Sequence, residues 1–174
     1  GKEPFAIVLP DMLICKNNGN AGDSLKEMRL NFEKEEISSV LLGKAKKEDI
    51  PKYGIAQIKK NSKSLGLGLI EKMIEKPSTK NAPSNLYAAG RYIFNNDFFK
   101  YLSKVKPDKT NEIQLTNAIE HYVKDGKKVS AFPLEGDIFD CGDNAEYILA
   151  NIKFAMKNPV IKSKIKNHLK INSF

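Results

Sequence analysis

Cysteine and histidine are both scarce in this sequence. Its two cysteines, Cys15 and Cys141, lie far apart, with no Cys-x-x-Cys spacing and no histidine close by. A zinc site and a disulfide framework are thereby excluded, and two free thiols of a reducing compartment remain. The two histidines, His121 and His168, fall among polar neighbours in helical stretches and read as surface residues. No Ser/His/Asp constellation or nucleophile elbow is present, which excludes the usual covalent hydrolase chemistry. No apolar run approaches the ~20 residues that would span a bilayer, and Gly1-Lys2-Glu3-Pro4 does not open a signal peptide. Gly66-Leu67-Gly68 lacks the third glycine and the helix start of a dinucleotide fingerprint, and reads instead as a strand bend.

What is present is the balance of a globular domain: 174 residues, 41% hydrophobic and 29% charged. A net charge of +8 could serve nucleic acid or anionic small molecules. The lysines, however, spread along the chain and thicken only between Lys153 and Lys170, with few aromatics beside them. A solvated basic face is therefore expected rather than a nucleic-acid surface.

Phe5-Ala6-Ile7-Val8-Leu9 is a continuous apolar run, predicting a strand buried on both faces of a largely parallel sheet. Pro10 ends it and puts Asp11 at its carboxyl end, where open α/β sheets bind ligands. A loop over 16–23, with Asn17, Asn18, Gly19 and Gly22, leads to a helix that Asp23 or Ser24 can cap. Leu25, Met28 and Phe32 form its apolar face, and Ser39-Val40-Leu41-Leu42 predicts a second buried strand. Strand, helix, strand implies a right-handed crossover in an α/β sheet. Short strands follow at 55–59, 69–75 and 86–94, with turns at 61–64 and 77–83, as a β-rich insertion. Helices are expected at 96–102 and 112–124, the second ended by Gly126, then strands at 129–133 and 138–141. Asn144 is expected to cap a helix to 156, before a basic peripheral helix over 160–169 and a frayed end over 171–174. The first strand needs neighbours on both sides, and no phosphate-cradling unit precedes it, so the chain is expected to begin inside a larger fold.

Asp11 by itself is a carboxylate at a strand end, open to use as a metal ligand or as a loop cap. Asp137, Asp140 and Asp143 cluster around Phe139-Asp140-Cys141-Gly142, and spacing does not tell which of them faces a cleft. One aspartate from each of two strand ends suits Mg²⁺, which takes one or two carboxylates and keeps waters and substrate phosphates. Aspartates capping surface turns are the alternative. Glu75-Lys76-Pro77 sets an acceptor beside a cation at a strand end. The carboxylate can accept from sugar hydroxyls while the ammonium pairs with a phosphate, or the two can form an exposed ion pair. Gly54, after Tyr53, and Gly90, before Arg91, permit close approach of a ligand to backbone, or serve a turn or bulge. Glu112 is either a ligand-binding acid or a first-turn carboxylate favoured by a helix dipole.

Seven segments in order carry a family resemblance. They are Glu3-Pro4-Phe5-Ala6-Ile7-Val8-Leu9-Pro10-Asp11, Tyr53-Gly54, Ile74-Glu75-Lys76-Pro77 and Ala82-Pro83-Ser84-Asn85-Leu86. Gly90-Arg91-Tyr92, Asn111-Glu112-Ile113-Gln114-Leu115-Thr116-Asn117-Ala118-Ile119 and Phe139-Asp140-Cys141-Gly142 complete them. Together they resemble the bacterial UTP–glucose-1-phosphate uridylyltransferases of the nucleotide-diphospho-sugar transferase superfamily. The resemblance implies an α/β fold: a partial Rossmann-like mixed sheet with a β-rich sugar-binding insertion and C-terminal helices. It implies that Asp11 and Asp140 bind Mg²⁺ and that Asp11 and Lys76 act in catalysis. Glu75 would bind glucose hydroxyls and Lys76 the phosphate of glucose 1-phosphate. Gly54 and Gly90 would present backbone to the sugar, with Glu112 a further sugar contact. Met12 departs from the family's usual residue after Pro-Asp without touching the metal ligand.

Family members begin with a strand, a Gly-x-Gly-Thr-Arg-type loop and a lysine-bearing segment that bind the nucleoside triphosphate. The resemblance covers only the later, sugar-phosphate part, over 1–174, with 160–174 a peripheral basic helix and tail. The complete protein is expected to be a cytoplasmic homo-oligomer that makes UDP-glucose from UTP and glucose 1-phosphate, with no nucleic-acid or membrane partner. The chain alone is expected to turn over little. A sister enzyme using dTTP or CTP and a non-catalytic sugar-phosphate-binding module are the alternatives.

Overall fold

The computed structural model describes residues 2–16, 22–62, 66–109 and 111–171, with side chains as far as 169. Positions 17–21 of the loop expected over 16–23, the far part of the 61–64 turn and the end beyond 171 lie outside the described residues. The strands are β1 (Phe5–Val8), β2 (Met12–Cys15), β3 (Ser38–Lys44), β4 (Gly54–Ile58), β5 (Gly68–Glu75), β6 (Leu86–Phe94), β7 (Val129–Pro133) and β8 (Asp137–Asp140). The helices are α1 (Asp23–Glu35), α2 (Phe99–Leu102), α3 (Leu115–Lys124), α4 (Asn144–Ala155) and α5 (Pro159–Ile171). They form two compact units, Gly1–Leu9 with Gly22–Glu135 and Pro10–Ala21 with Gly136–Phe174.

The first unit is built on a six-stranded mixed sheet in the order β1-β6-β3-β7-β5-β4. β3 and β7 run parallel, and the other pairs are antiparallel. β4 also pairs with β6, so the pairings close a ring through β3, β6, β4, β5 and β7. The strands of the expected β-rich insertion are thus woven into the main sheet. β3 is buried along Ser38–Gly43, as its apolar run predicts. Its alternate residues Val40 and Leu42 meet Tyr92, Phe94, Phe98, Ala118, Ile119 and Tyr122 in one core cluster.

β1 departs from expectation. It is an edge strand, antiparallel to β6, and its residues alternate between half-buried and exposed. Phe5 and Ile7 pack on the core while Val8 stays 48% exposed. A short apolar run does not reveal how many of its faces are covered. Helix starts also moved. Gly22, without a side-chain cap, precedes α1. α3 begins at Leu115 because Asp108 closes the preceding loop, accepting from the Glu112 N–H at 3.2 Å and the Gln114 amide at 2.8 Å.

In the second unit β2 and β8 form a two-stranded antiparallel sheet, against which α4 packs. Asp143, not Asn144, caps α4, accepting from the N–H groups of Ala145 at 2.8 Å and Glu146 at 3.1 Å. Asn158 caps α5 in the same way, with Pro159 at its first position.

Candidate functional site

In the first unit β4 and β5 place Gly54 directly opposite Glu75. β5 ends there because Lys76 takes a left-handed φ of 41° and donates its N–H to the Tyr53 carbonyl at 3.0 Å. Such a conformation in a non-glycine residue costs about 1–3 kcal/mol and persists only where the surroundings hold it. Buried Pro77 follows and prevents the ladder from continuing. The Glu75 side chain is 18% exposed and that of Lys76 53%, with Nζ 3.9 Å from Oε1. The result is a sheltered carboxylate beside an open cation.

Gly54 is buried, and a Cβ there would lie 2.3 Å from Thr116 Oγ1 and 3.0 Å from Glu75 Oε2. Position 54 is glycine because the first turn of α3 and the Glu75 carboxylate occupy the space a side chain would need. The structure therefore brings Gly54, Glu75 and Lys76 together and adds Thr116, which sequence reasoning missed. It lies in the quoted segment 111–119, where it was given no role of its own.

Gly90 stands at a changeover in β6, between Leu86 and Tyr87, paired with β4, and the stretch Arg91–Phe94, paired with β1. Its φ of 73° favours glycine, and across this bulge Leu41 of β3 spans three residues of β6. Its carbonyl accepts from the Leu9 N–H at 2.9 Å and from the Arg91 guanidinium at 3.1 Å. Glu112 is exposed before α3, its carboxylate accepting from Gln114 Nε2 at 3.1 Å. Since it lies outside the helix, the first-turn reading of Glu112 falls away. Among the described residues no hydrogen bond joins it to Glu75 or Lys76.

In the second unit the Asp11 carbonyl accepts the Cys141 N–H at 2.8 Å, and Asp140 pairs with Met12 across the ladder. Asp11 and Asp140 therefore share one end of the β2–β8 ribbon. Asp137 is taken by Lys153 at 2.7 Å, and Asp143 by its capping role. Among the described residues the Asp140 carboxylate accepts the Gly142 N–H alone, at 3.2 Å, through Oδ1. Burial first, then the charges of Asp140, Asp11 and Glu146, push the Cys141 thiol above its ordinary value. Among the described residues no three His, Cys, Asp or Glu groups form a metal cluster. Two hard carboxylates at one ribbon end are nevertheless a donor set that fits Mg²⁺, which supplements one or two carboxylates with water and phosphate oxygens.

Comparison with known proteins identifies the family. The family model described as nucleotidyl transferase matches residues 1–157. A UTP–glucose-1-phosphate uridylyltransferase of Haemophilus ducreyi is 36% identical over 91% of this chain and 54% of its own length. One from Streptococcus pyogenes is 32% identical over 97% of this chain and 55% of its own. A crystal structure of UDP-glucose pyrophosphorylase complexed with UDP-glucose matches at a TM-score of 0.81 and 36% identity, covering 91% of this chain and 58% of that one. The chain thus spans about half the length of the curated relatives it matches. On the family match over residues 1–157 and the mixed α/β sheet, the chain belongs to the nucleotidyl transferase family.

Proposed function

We propose that this chain carries the sugar-phosphate and metal residues of a UTP–glucose-1-phosphate uridylyltransferase. The observation that carries the reading is the meeting of Glu75, Lys76 and Gly54 at the ends of β4 and β5, in a chain 36% identical to an enzyme so named. In the complete protein, a phosphate oxygen of glucose 1-phosphate attacks the α-phosphorus of UTP. The new P–O bond forms as the bond to the β-phosphate oxygen breaks, giving UDP-glucose and pyrophosphate. No protein nucleophile is required, since the task is to align two anions and offset their repulsion. Lys76 binds the phosphate of glucose 1-phosphate, and Glu75 accepts hydrogen bonds from glucose hydroxyls. Gly54 and Gly90 shape the floor on which the sugar lies, and Glu112 adds a polar contact at its rim. Asp11 and Asp140 would hold Mg²⁺, which supplies charge neutralisation for the phosphates when bound.

The cytoplasm is the compartment this reading implies, since nucleoside triphosphates are made there and two free thiols stay reduced. The complete protein is read as a homo-oligomer. UTP is preferred over dTTP or CTP on the names of the relatives at 32–36% identity.

The test is Lys76→Ala in the complete protein, with steady-state kinetics in both substrates. Losing a charge-assisted bond to phosphate should raise KM for glucose 1-phosphate and lower kcat, cutting kcat/KM by about ten- to a hundredfold. Unchanged kinetics would remove Lys76 from the site.

A further inference from the structure

Gly43 of β3 and Tyr87 of β6 stand directly opposite each other in the sheet. The backbone of Gly43 is not left-handed, so conformation does not call for glycine there. Space does. A Cβ at this buried position would lie 2.5 Å from Tyr87 Cε1, 2.6 Å from Cζ and 2.8 Å from the hydroxyl oxygen. The far end of the tyrosine ring therefore occupies the room that the missing side chain leaves on β3, and Tyr87 is only 5% exposed.

The same ring stacks on Tyr53, with centroids 4.7 Å apart and planes inclined by 29°. Stacking at this spacing is favourable beyond the area it buries. Tyr53 directly precedes β4, and its carbonyl accepts the Lys76 N–H at 3.0 Å. Lys76 has a φ of 41°, which a residue with a side chain keeps only where its surroundings hold it. With its side chain 53% exposed, Lys76 gains little of that hold from packing of its own. The carbonyl that holds it must itself be held, and the ring of Tyr53 is where the fold grips that residue.

We propose that Tyr87, seated on Gly43 and stacked on Tyr53, is a positioning residue for Lys76. It fixes the Tyr53 backbone and, through that carbonyl, the turn that aims the lysine ammonium. This rests on the reading of Lys76 as the group that binds the sugar phosphate. Misplacing a group that aligns a substrate costs rate steeply, about a hundredfold for 1 Å.

The experiment measures steady-state kinetics in both substrates for Tyr87→Leu, Tyr87→Phe, Gly43→Ala and Lys76→Ala in the complete protein. Tyr87→Leu, which keeps apolar volume but not the ring, should lower kcat/KM for glucose 1-phosphate about tenfold and leave KM for UTP unchanged. Gly43→Ala, which pushes the ring off its seat from β3, should do the same. Tyr87→Phe, which keeps the ring, should stay near the parent. Added to Lys76→Ala, Tyr87→Leu should cost almost nothing more, because the group it positions is gone. Losses that add in full, or an equal rise of both KM values, would mean a merely structural residue and overturn the proposal. So would parental kinetics of Tyr87→Leu while Lys76→Ala is impaired. If Lys76→Ala were itself unimpaired, the reading of the sugar-phosphate site would fail, and the proposal with it. Should Tyr87→Leu not fold, Gly43→Ala carries the same comparison against Lys76→Ala.

Discussion

Asp97 accepts the Tyr122 hydroxyl at 2.9 Å and the Lys127 ammonium at 2.5 Å. Tyr122 in turn reaches the Ser38 hydroxyl at 3.4 Å, linking an exposed ion pair to the buried start of β3. Burial alone would push the Asp97 carboxyl up, but the bonds from Lys127 and Tyr122 outweigh it and hold it below its ordinary value of 3.8. A carboxyl depressed by folding contributes stability that is present above its unfolded value and lost as pH falls through the folded one. Asp97→Asn should therefore cost about 1 kcal/mol at neutral pH. It should also flatten the fall in stability below about pH 4. The side chain is 30% exposed, so solvent screens part of the ion pair and the two bonds supply most of the effect. Urea melts at pH 7 and pH 3 check this, and an unchanged acid slope would overturn it. None of it was legible in the sequence, because the partners of Asp97 lie 25 and 30 positions away.

At the scale of elements, the start of α4 shows why local sequence stops short. Asp143 and Asn144 are both good capping types, and spacing alone favours neither. The turn after β8 decides: the Asp143 N–H bonds the Asp140 carbonyl at 3.0 Å, which frees its carboxylate for the next two N–H groups. Asp143→Ala should cost about 1 kcal/mol and Asn144→Ala much less, read from thermal melts of the two variants. Equal losses would return the cap to Asn144. The same turn leaves Asp140, alone of the three aspartates, without an ion pair or a helix cap among the described residues. Strand identity was easier to read. β6 spans the expected residues from Leu86 to Phe94, because alternation of apolar side chains is a property of the strand itself. β1 was misjudged for the complementary reason: coverage is supplied by neighbours.

For the whole molecule, the two units differ in what they bury. The first has a cluster of aromatic and aliphatic residues from Val40 to Ala131, including Phe94 and Phe98 stacked at 3.8 Å. The second buries Met12, Ile14, Cys15 and Ala150 but leaves Tyr147, Ile148, Leu149 and Ile152 exposed. Few buried apolar contacts mean low local stability. Hydrogen exchange followed by mass spectrometry should find β3, β6 and β7 protected longest, with β2, β8 and α4 opening earlier. Equal protection in both units would show that they unfold as one. By itself the sequence determined the types and approximate limits of the strands and helices, and the residue types on which the proposed sugar-phosphate site rests, because periodicity and side-chain chemistry are local. Tertiary structure alone decided that β1 lies at an edge, that Asp140 rather than Asp137 or Asp143 is left without an ion pair or a helix cap among the described residues, and that Thr116 leans on Gly54 beside Glu75. Those outcomes depend on which distant residue fills the space next to a side chain, and only the packed fold sets that.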